Sequence, residues 1–501
     1  MAISSRASSS PSAVRSKEGL IYLACLACVS FMLALSACRN VLNDDEEDDS
    51  FQVRMVNLIE DSPAVQYSVD STVITNIGYL GATGFNAAHP GDRAVSFAAI
   101  RPASLNSSDT TTPIAIGGTF SQSYTRGRDY TVFVYGKLND PKAFTMDEES
   151  DKAAVEEDFI EYQFVNAAPN VPRVDIFITA PEGQITSAEK LATVTFGQKT
   201  GTTKLKLFKR ADVTDDTAAL IVDFTVELRD STSGDVLFNS GKQRLNEKTR
   251  LLWAVVNNTG PGPAKVKVIG IDGVTGTFLN TTDQATVRAV HVSPDSGAFD
   301  IYRNSSLNSP IALGLAFRDT SPYSNVPTGE VDLIAQPASA TSVTILFVEE
   351  FSAIANTSYS AYTVGRQGSV DALVIADDRR SVPTQSKFRF LNAAPSLDGE
   401  DALDVYVTLP DQSLDFTAST TATTDDAAQF KRGSIAYKST TDPAVLKSGT
   451  YRVRLAPAGT SRIVLDSAIT LQDGSVQTFV LIDDPDSAEL ELMPVEEALV
   501  Q

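Results

Sequence analysis

A chain of 501 residues is too long for one hydrophobic core, and its length implies three or four domains. With 42% hydrophobic and 21% charged residues, its composition is that of a globular protein, not a disordered one. A net charge of −22 repels polyanions, so it excludes nucleic acid as a partner and any membrane attachment that relies on charge.

The first 37 residues read as a targeting segment. Arg6, Arg15 and Lys17 form a basic, serine-rich leader, and Ile21 to Ala37 is an uncharged apolar run broken only by Ser30 and Ser36. The run ends in Leu35-Ser36-Ala37-Cys38, which resembles the lipobox of bacterial lipoproteins. The resemblance implies cleavage behind Ala37 and a lipid on the Cys38 thiol, which would hold the mature protein to a membrane. Cys25 and Cys28 lie in the removed segment, so the mature chain has no second cysteine for a disulfide. Loss of residues 1–37 removes three bases and one acid and takes the net charge from −22 to −24. Residues 38–50 follow as a tether: the six like charges of Asp44 to Asp49 cannot pack against one another. The run lacks the glycine and alternating spacing of a calcium loop.

From Phe51 onward one pattern recurs. A short apolar strand leads into a turn carrying proline and then into a second, alternating strand. The copies begin at Arg54-Met55-Val56-Asn57, Phe164-Val165-Asn166-Ala167-Ala168-Pro169, Arg288-Ala289-Val290-His291-Val292-Ser293-Pro294 and Phe390-Leu391-Asn392-Ala393-Ala394-Pro395. This divides the chain into a degenerate repeat one (51–155), repeat two (156–280), repeat three (281–384) and repeat four (385–501). The acidic residues 147–158 read as a linker. The spacing of short strands and turns is that of an all-β chain of tandem β-sandwiches with about seven strands each. Every repeat owns a full set of strands, so each is expected to fold by itself, strung out from the membrane.

The shared pattern is (Asn/His)-Ala-(Ala/Ser)-Pro, then Val-Asp-(Val/Ile)-Tyr, then Pro-x-Gly-x-Tyr-x-Val and a closing strand before Asp-Asp. It resembles domain of unknown function 4397, a domain found in tandem in bacterial secreted and envelope proteins. The resemblance covers nearly all of residues 51–501 and is best in repeats three and four. It implies immunoglobulin-like or transthyretin-like sandwiches, an extracytoplasmic location and no established activity.

Candidate site residues come from the second strand of each copy. Asp175, Asp300 and Asp404 share a face with Phe177, Tyr302 and Tyr406 two residues on. A carboxylate beside a ring suits sugar binding. The alternative is structural: the aspartate accepts N–H groups of the preceding proline turn. Its presence in three copies favours structure, because a fold-building residue is needed in every copy. His291 stands where the other copies have asparagine and is expected to bond within its turn. Trp253, between Leu252 and Val255, is expected in a core. His89 and His291 fall in different repeats and no cysteine follows Cys38, so no metal site, cofactor or Ser-His-Asp arrangement is expected.

These features describe a lipoprotein of the bacterial cell envelope, on the outer membrane, anchored through Cys38. It would display β-sandwiches for binding or adhesion to an envelope protein or glycan. A structural spacer is the second reading, and a secreted-type hydrolase a remote third.

Overall fold

The computed structural model describes residues 50–501 except 107, 110–111, 150–154, 180–189, 208–220, 262–263, 273, 305–306, 341–343, 415, 417–428, 488 and 498–501. The leader, Cys38 and the acidic run lie outside the described residues. So do parts of two loops, in repeats two and four. No helix among the described residues is long and apolar enough to cross a membrane.

The described chain is almost entirely β-strand and forms eight sheets, two in each repeat. The opening strands are Phe51–Ile59, Phe159–Asn166, Ala285–His291 and Ser386–Asn392. Each is followed by the proline turn and by the second strand, respectively Val65–Val69, Arg173–Thr179, Phe299–Arg303 and Leu403–Thr408. Alternation places the second strand. Val174, Ile176 and Ile178 point into the core, while Asp175, Phe177 and Thr179 stand on the outer face.

The opening strand does not pair with the second strand. It runs parallel to a late strand of its own repeat: Arg128–Lys137, Arg250–Asn257, Ser358–Arg366 or Val476–Asp483. Parallel neighbours need a crossover between them, and the crossover here is the whole second sheet. In repeat three that sheet has the order Pro310–Leu315, Phe299–Arg303, Gly329–Pro337, Phe347–Ala353. Gly329, in the Pro-Thr-Gly turn, has φ of 99°, a left-handed conformation that favours glycine. Each pair of sheets closes on its own apolar core.

Two sequence expectations are corrected. Among the described residues, repeats one and three have eight strands each, because the late strand turns back into a closing strand, Asp140–Glu149 or Ser369–Asp377. Residues Asp147–Glu149 therefore belong to a strand and not to a linker. That strand is at a sheet edge, where acidic side chains keep access to water, and Asp147 pairs with Arg128 at 2.6 Å.

The repeats also do not hang separately. The opening and late strands are buried on both faces, one against their own core and the other against a neighbouring repeat. Val56, Leu58, Phe133 and Tyr135 of repeat one meet Val165, Leu252, Ala254, Val256, Ile269 and Ile271 of repeat two. Val290, Val292, Tyr362 and Val364 of repeat three meet Leu391, Val480, Ile482, Met493 and Val495 of repeat four. The sandwiches are thus stacked in two pairs. Repeat four taken alone would expose this second apolar face, which replaces the expectation of single-repeat folding with one of folding in pairs. Contacts also join the pairs. Leu105 of repeat one enters the core of repeat four, and the Lys447 amide donates to the Ala103 carbonyl at 3.0 Å.

Candidate functional site

The recurrent asparagine closes the proline turn. Asn166 accepts the Ala168 N–H at 3.0 Å through Oδ1 and donates Nδ2 to the Val171 carbonyl at 2.9 Å. Asn57 accepts the Ile59 N–H and Asn392 the Ala394 N–H in the same way. His291 does this work with a ring. Its Nδ1 accepts the Ser293 N–H at 3.2 Å and its Nε2 lies 3.1 Å from the Gly297 carbonyl, as expected from its position. Burial lowers the His291 pKa below the ordinary value, against an opposing pull from the Gly297 carbonyl, so the ring stays neutral near pH 7. His89 is exposed in another turn. Trp253 is buried in the core of repeat two, edge-on to Phe164 and Phe278.

The proline turns are thus served by asparagine and histidine, which leaves the aspartates to other work. Asp300 accepts the Gly314 N–H at 2.7 Å and the Tyr302 hydroxyl at 3.4 Å. Asp404 accepts Ser434 Oγ at 2.9 Å, the Tyr406 hydroxyl and the Gly459 N–H at 3.4 Å, and pairs with Lys431 at 3.0 Å. Asp175 takes Thr193 Oγ1 at 2.6 Å, the Ser231 hydroxyl and Lys190 Nζ at 3.5 Å. Each carboxylate therefore ties its strand to strands or turns of its own sheet. Burial raises the Asp404 pKa, but Lys431, Ser434 and Gly459 outweigh it and bring the net value below the ordinary one. Tyr302 and Tyr406 are buried beside these carboxylates, and Lys431 lies 5.2 Å from the Tyr406 ring centre. No open ring is left for a sugar to stack on at Tyr406. Among the described residues no group of three His, Cys, Asp or Glu side chains is placed to hold a metal ion.

Sequence reasoning passed over a second recurrent residue. Three positions before each turn-closing residue stand Arg54, Gln163, Arg288 and Arg389, pointing out of their sandwich. Arg54, Arg288 and Arg389 each donate Nε to a hydroxyl on the adjacent late strand, Thr131, Ser360 and Thr478, at 2.8–2.9 Å. In the second pair the guanidinium also crosses to the neighbour. Arg389 reaches the Ala376 carbonyl at 2.7 Å and Asp377 at 2.8 Å in repeat three, and pairs with Glu497 of its own repeat at 3.1 Å. Arg288 donates to the Glu496 carbonyl at 2.5 Å. Burial, and then the Asp377 charge, push the Glu497 carboxyl up to about 7 against the pull of Arg389. The signal was present in the sequence as three arginines at one offset.

Two of the recesses among the described residues bear on function. A cleft of about 320 Å³ at one end of repeat three is lined by Ser296–Phe299, Pro337–Ser339, Leu346 and Gln367, Gly368 and Val370. Exposed Ile345 and Val348 flank Leu346 in the chain. A more polar crevice of about 160 Å³ lies where repeats two and three meet the segment leading to repeat four.

Fold and sites define a class: a tandem β-sandwich protein whose recurrent polar residues maintain turns, sheets and interfaces. The chain carries two tandem domains of the family described as Domain of unknown function (DUF4397), whose model matches residues 51–177 and 285–406. The match is narrower than the recurring motifs suggest. Each matched span holds one whole sandwich and runs to the second-strand motif of the next. No curated protein matches the chain. Among solved structures it is similar to the Bacillus anthracis TIE protein, at 8% identity over 86% of this chain and 67% of that one, with a TM-score of 0.15. It is also similar to a putative adhesin from Bacteroides ovatus, at 10% identity over 46% and 96%, with a TM-score of 0.15. A third is the family CBM26 module of Eubacterium rectale Amy13K in complex with maltoheptaose, at 12% identity over 44% and 97%, with a TM-score of 0.16. Likenesses at these scores carry no inference about function.

Proposed function

We propose that this is a lipid-anchored envelope protein that displays its sandwich pairs for binding, with the cleft of repeat three as the contact surface. In this reading the lipid on Cys38 holds the chain to the outer membrane and residues 38–50 are the tether. The repeats run 51–155, 156–280, 281–384 and 385–501, as immunoglobulin-like or transthyretin-like sandwiches. The observation that carries the reading is the cleft itself. It combines apolar Phe299, Leu346 and Val370 with backbone groups of a glycine- and serine-rich rim, as binding sites on loops commonly do. The ligand is an envelope protein or glycan, and no catalysis or cofactor is part of the proposal.

The test is a glycan array together with a pull-down from envelope fractions, using wild type and Leu346→Glu. Capture by wild type that is lost in the variant supports the cleft. Equal capture by both, or none by either, overturns it. The spacer reading is favoured by the doubly buried pairing faces, which stiffen the stack, and it predicts no capture at all.

A further inference from the structure

The polar crevice brings three cations together in a strongly acidic chain. Its walls are the Thr259–Pro261 loop and Lys267 of repeat two, Asn356 and Ser358 of repeat three, and Asp377–Arg380 leading to repeat four. Both of its carboxylates are already engaged. Asp377 is bonded by Arg389, Tyr323 and Ser360, and Asp378 by Lys387 at 2.7 Å. The cations are bound differently. Arg379 lies over the Tyr323 ring at 4.1 Å and reaches Ser358 Oγ at 3.3 Å. Arg380 lies over the Tyr79 ring at 5.1 Å and donates to the Ser62 carbonyl at 2.7 Å.

Lys267 has the weakest compensation. It stands on the strand Val266–Asp272, on the face that carries Ile269 and Ile271 into the interface with repeat one. Among the described residues its half-buried ammonium makes no hydrogen bond or ion pair. Burial lowers its pKa, and Asp283, whose charge opposes this, is itself bonded to Asn280 and Asn356. A partly desolvated ammonium without a partner is costly, and an oxyanion would offset that cost while two guanidiniums share its charge.

We propose that this crevice binds an oxyanion group, a carboxylate, phosphate or sulfate of a small solute, between Lys267, Arg379 and Arg380. The volume of about 160 Å³ admits such a group with a small part of its parent molecule. The net charge of −22 does not prevent this, because at physiological salt charges beyond about 8 Å are screened while the three cations line the cavity. Bound there, the anion would join repeats two and three to the segment that Arg380 fastens to repeat one.

The test is thermal unfolding of the full chain in detergent, titrated with phosphate, sulfate or glucuronate against sodium chloride at matched ionic strength. Wild type is expected to gain several degrees in a saturable manner. Lys267→Met is expected to melt no lower than wild type without anion and to lose the saturable gain, keeping only the unsaturating rise that phosphate and sulfate give any protein. Arg379→Gln is expected to weaken the half-saturation at least tenfold. A response to phosphate or sulfate alone assigns an inorganic anion, and a stronger response to glucuronate assigns an acidic sugar. No saturable gain in wild type, or an undiminished one in both variants, overturns the proposal.

Discussion

Truncating Leu391 tests whether the stacked pair is one folding unit. Leu391 is fully buried, yet it faces away from the core of repeat four, which Phe388 and Phe390 fill, and sits among Val290, Tyr362 and Val480. Leu391→Ala removes buried methyl groups and leaves a cavity between two sandwiches, a change that costs about 2–5 kcal/mol. Taking about 3 kcal/mol, and about 3 °C per kcal/mol for a unit of this size, the melting point falls by roughly 9 °C. The assay is hydrogen exchange by mass spectrometry through a urea series, following peptides from Ala285–His291 and from Val476–Asp483. Both sets are expected to lose protection together, at a lower urea concentration than in wild type. If only the repeat-four peptides shift, or the cost stays below about 0.5 kcal/mol, the pairing argument fails.

The other predictions concern single groups. Asp404→Ala strands Lys431, Ser434 and the Gly459 N–H and is expected to cost about 2–3 kcal/mol, read from the melting of the pair formed by repeats three and four. Asp300→Ala, which loses one backbone donor and a long tyrosine contact, is expected to cost about 1 kcal/mol. Gln66, which stands in repeat one where the other copies have this aspartate, is expected to cost less still when changed to Ala. Glu497 ionises near 4.5 when unfolded but is held up to about 7 in the fold, so its contribution is full below the lower value and lost as pH rises through the higher. That gap is worth roughly 3 kcal/mol. Glu497→Gln is expected to remove this decline between pH 5 and 7, and parallel pH–stability curves for variant and wild type would refute it. His291, with its lowered pKa, works in the opposite sense: its contribution is present above about 6.5 and lost as pH falls, and it is common to both curves. Cys38→Ser is expected to move the protein from the detergent phase to the aqueous phase, and equal partitioning would refute the lipid anchor.

The sequence by itself determined the local architecture. Proline turns and period-two alternation are short-range signals, so the opening strand, the second strand and the face that Asp175, Asp300 and Asp404 share with Phe177, Tyr302 and Tyr406 were all legible. The role of His291 followed from its alignment with Asn57, Asn166 and Asn392, and that of Trp253 from its apolar neighbours. Only the tertiary structure decided who pairs with whom. An opening strand such as Ser386–Asn392 reads as a continuous apolar run, and such a run does not say whether its second buried face belongs to one core or to an interface. The parallel partner, Val476–Asp483, is more than eighty residues away, beyond any periodicity. The aspartates' partners and the cations of the crevice were hidden for the same reason. Gly314, Gly459, Lys431, Lys267 and Arg379 come from separate strands and loops, and sheet topology, not spacing, assembles them.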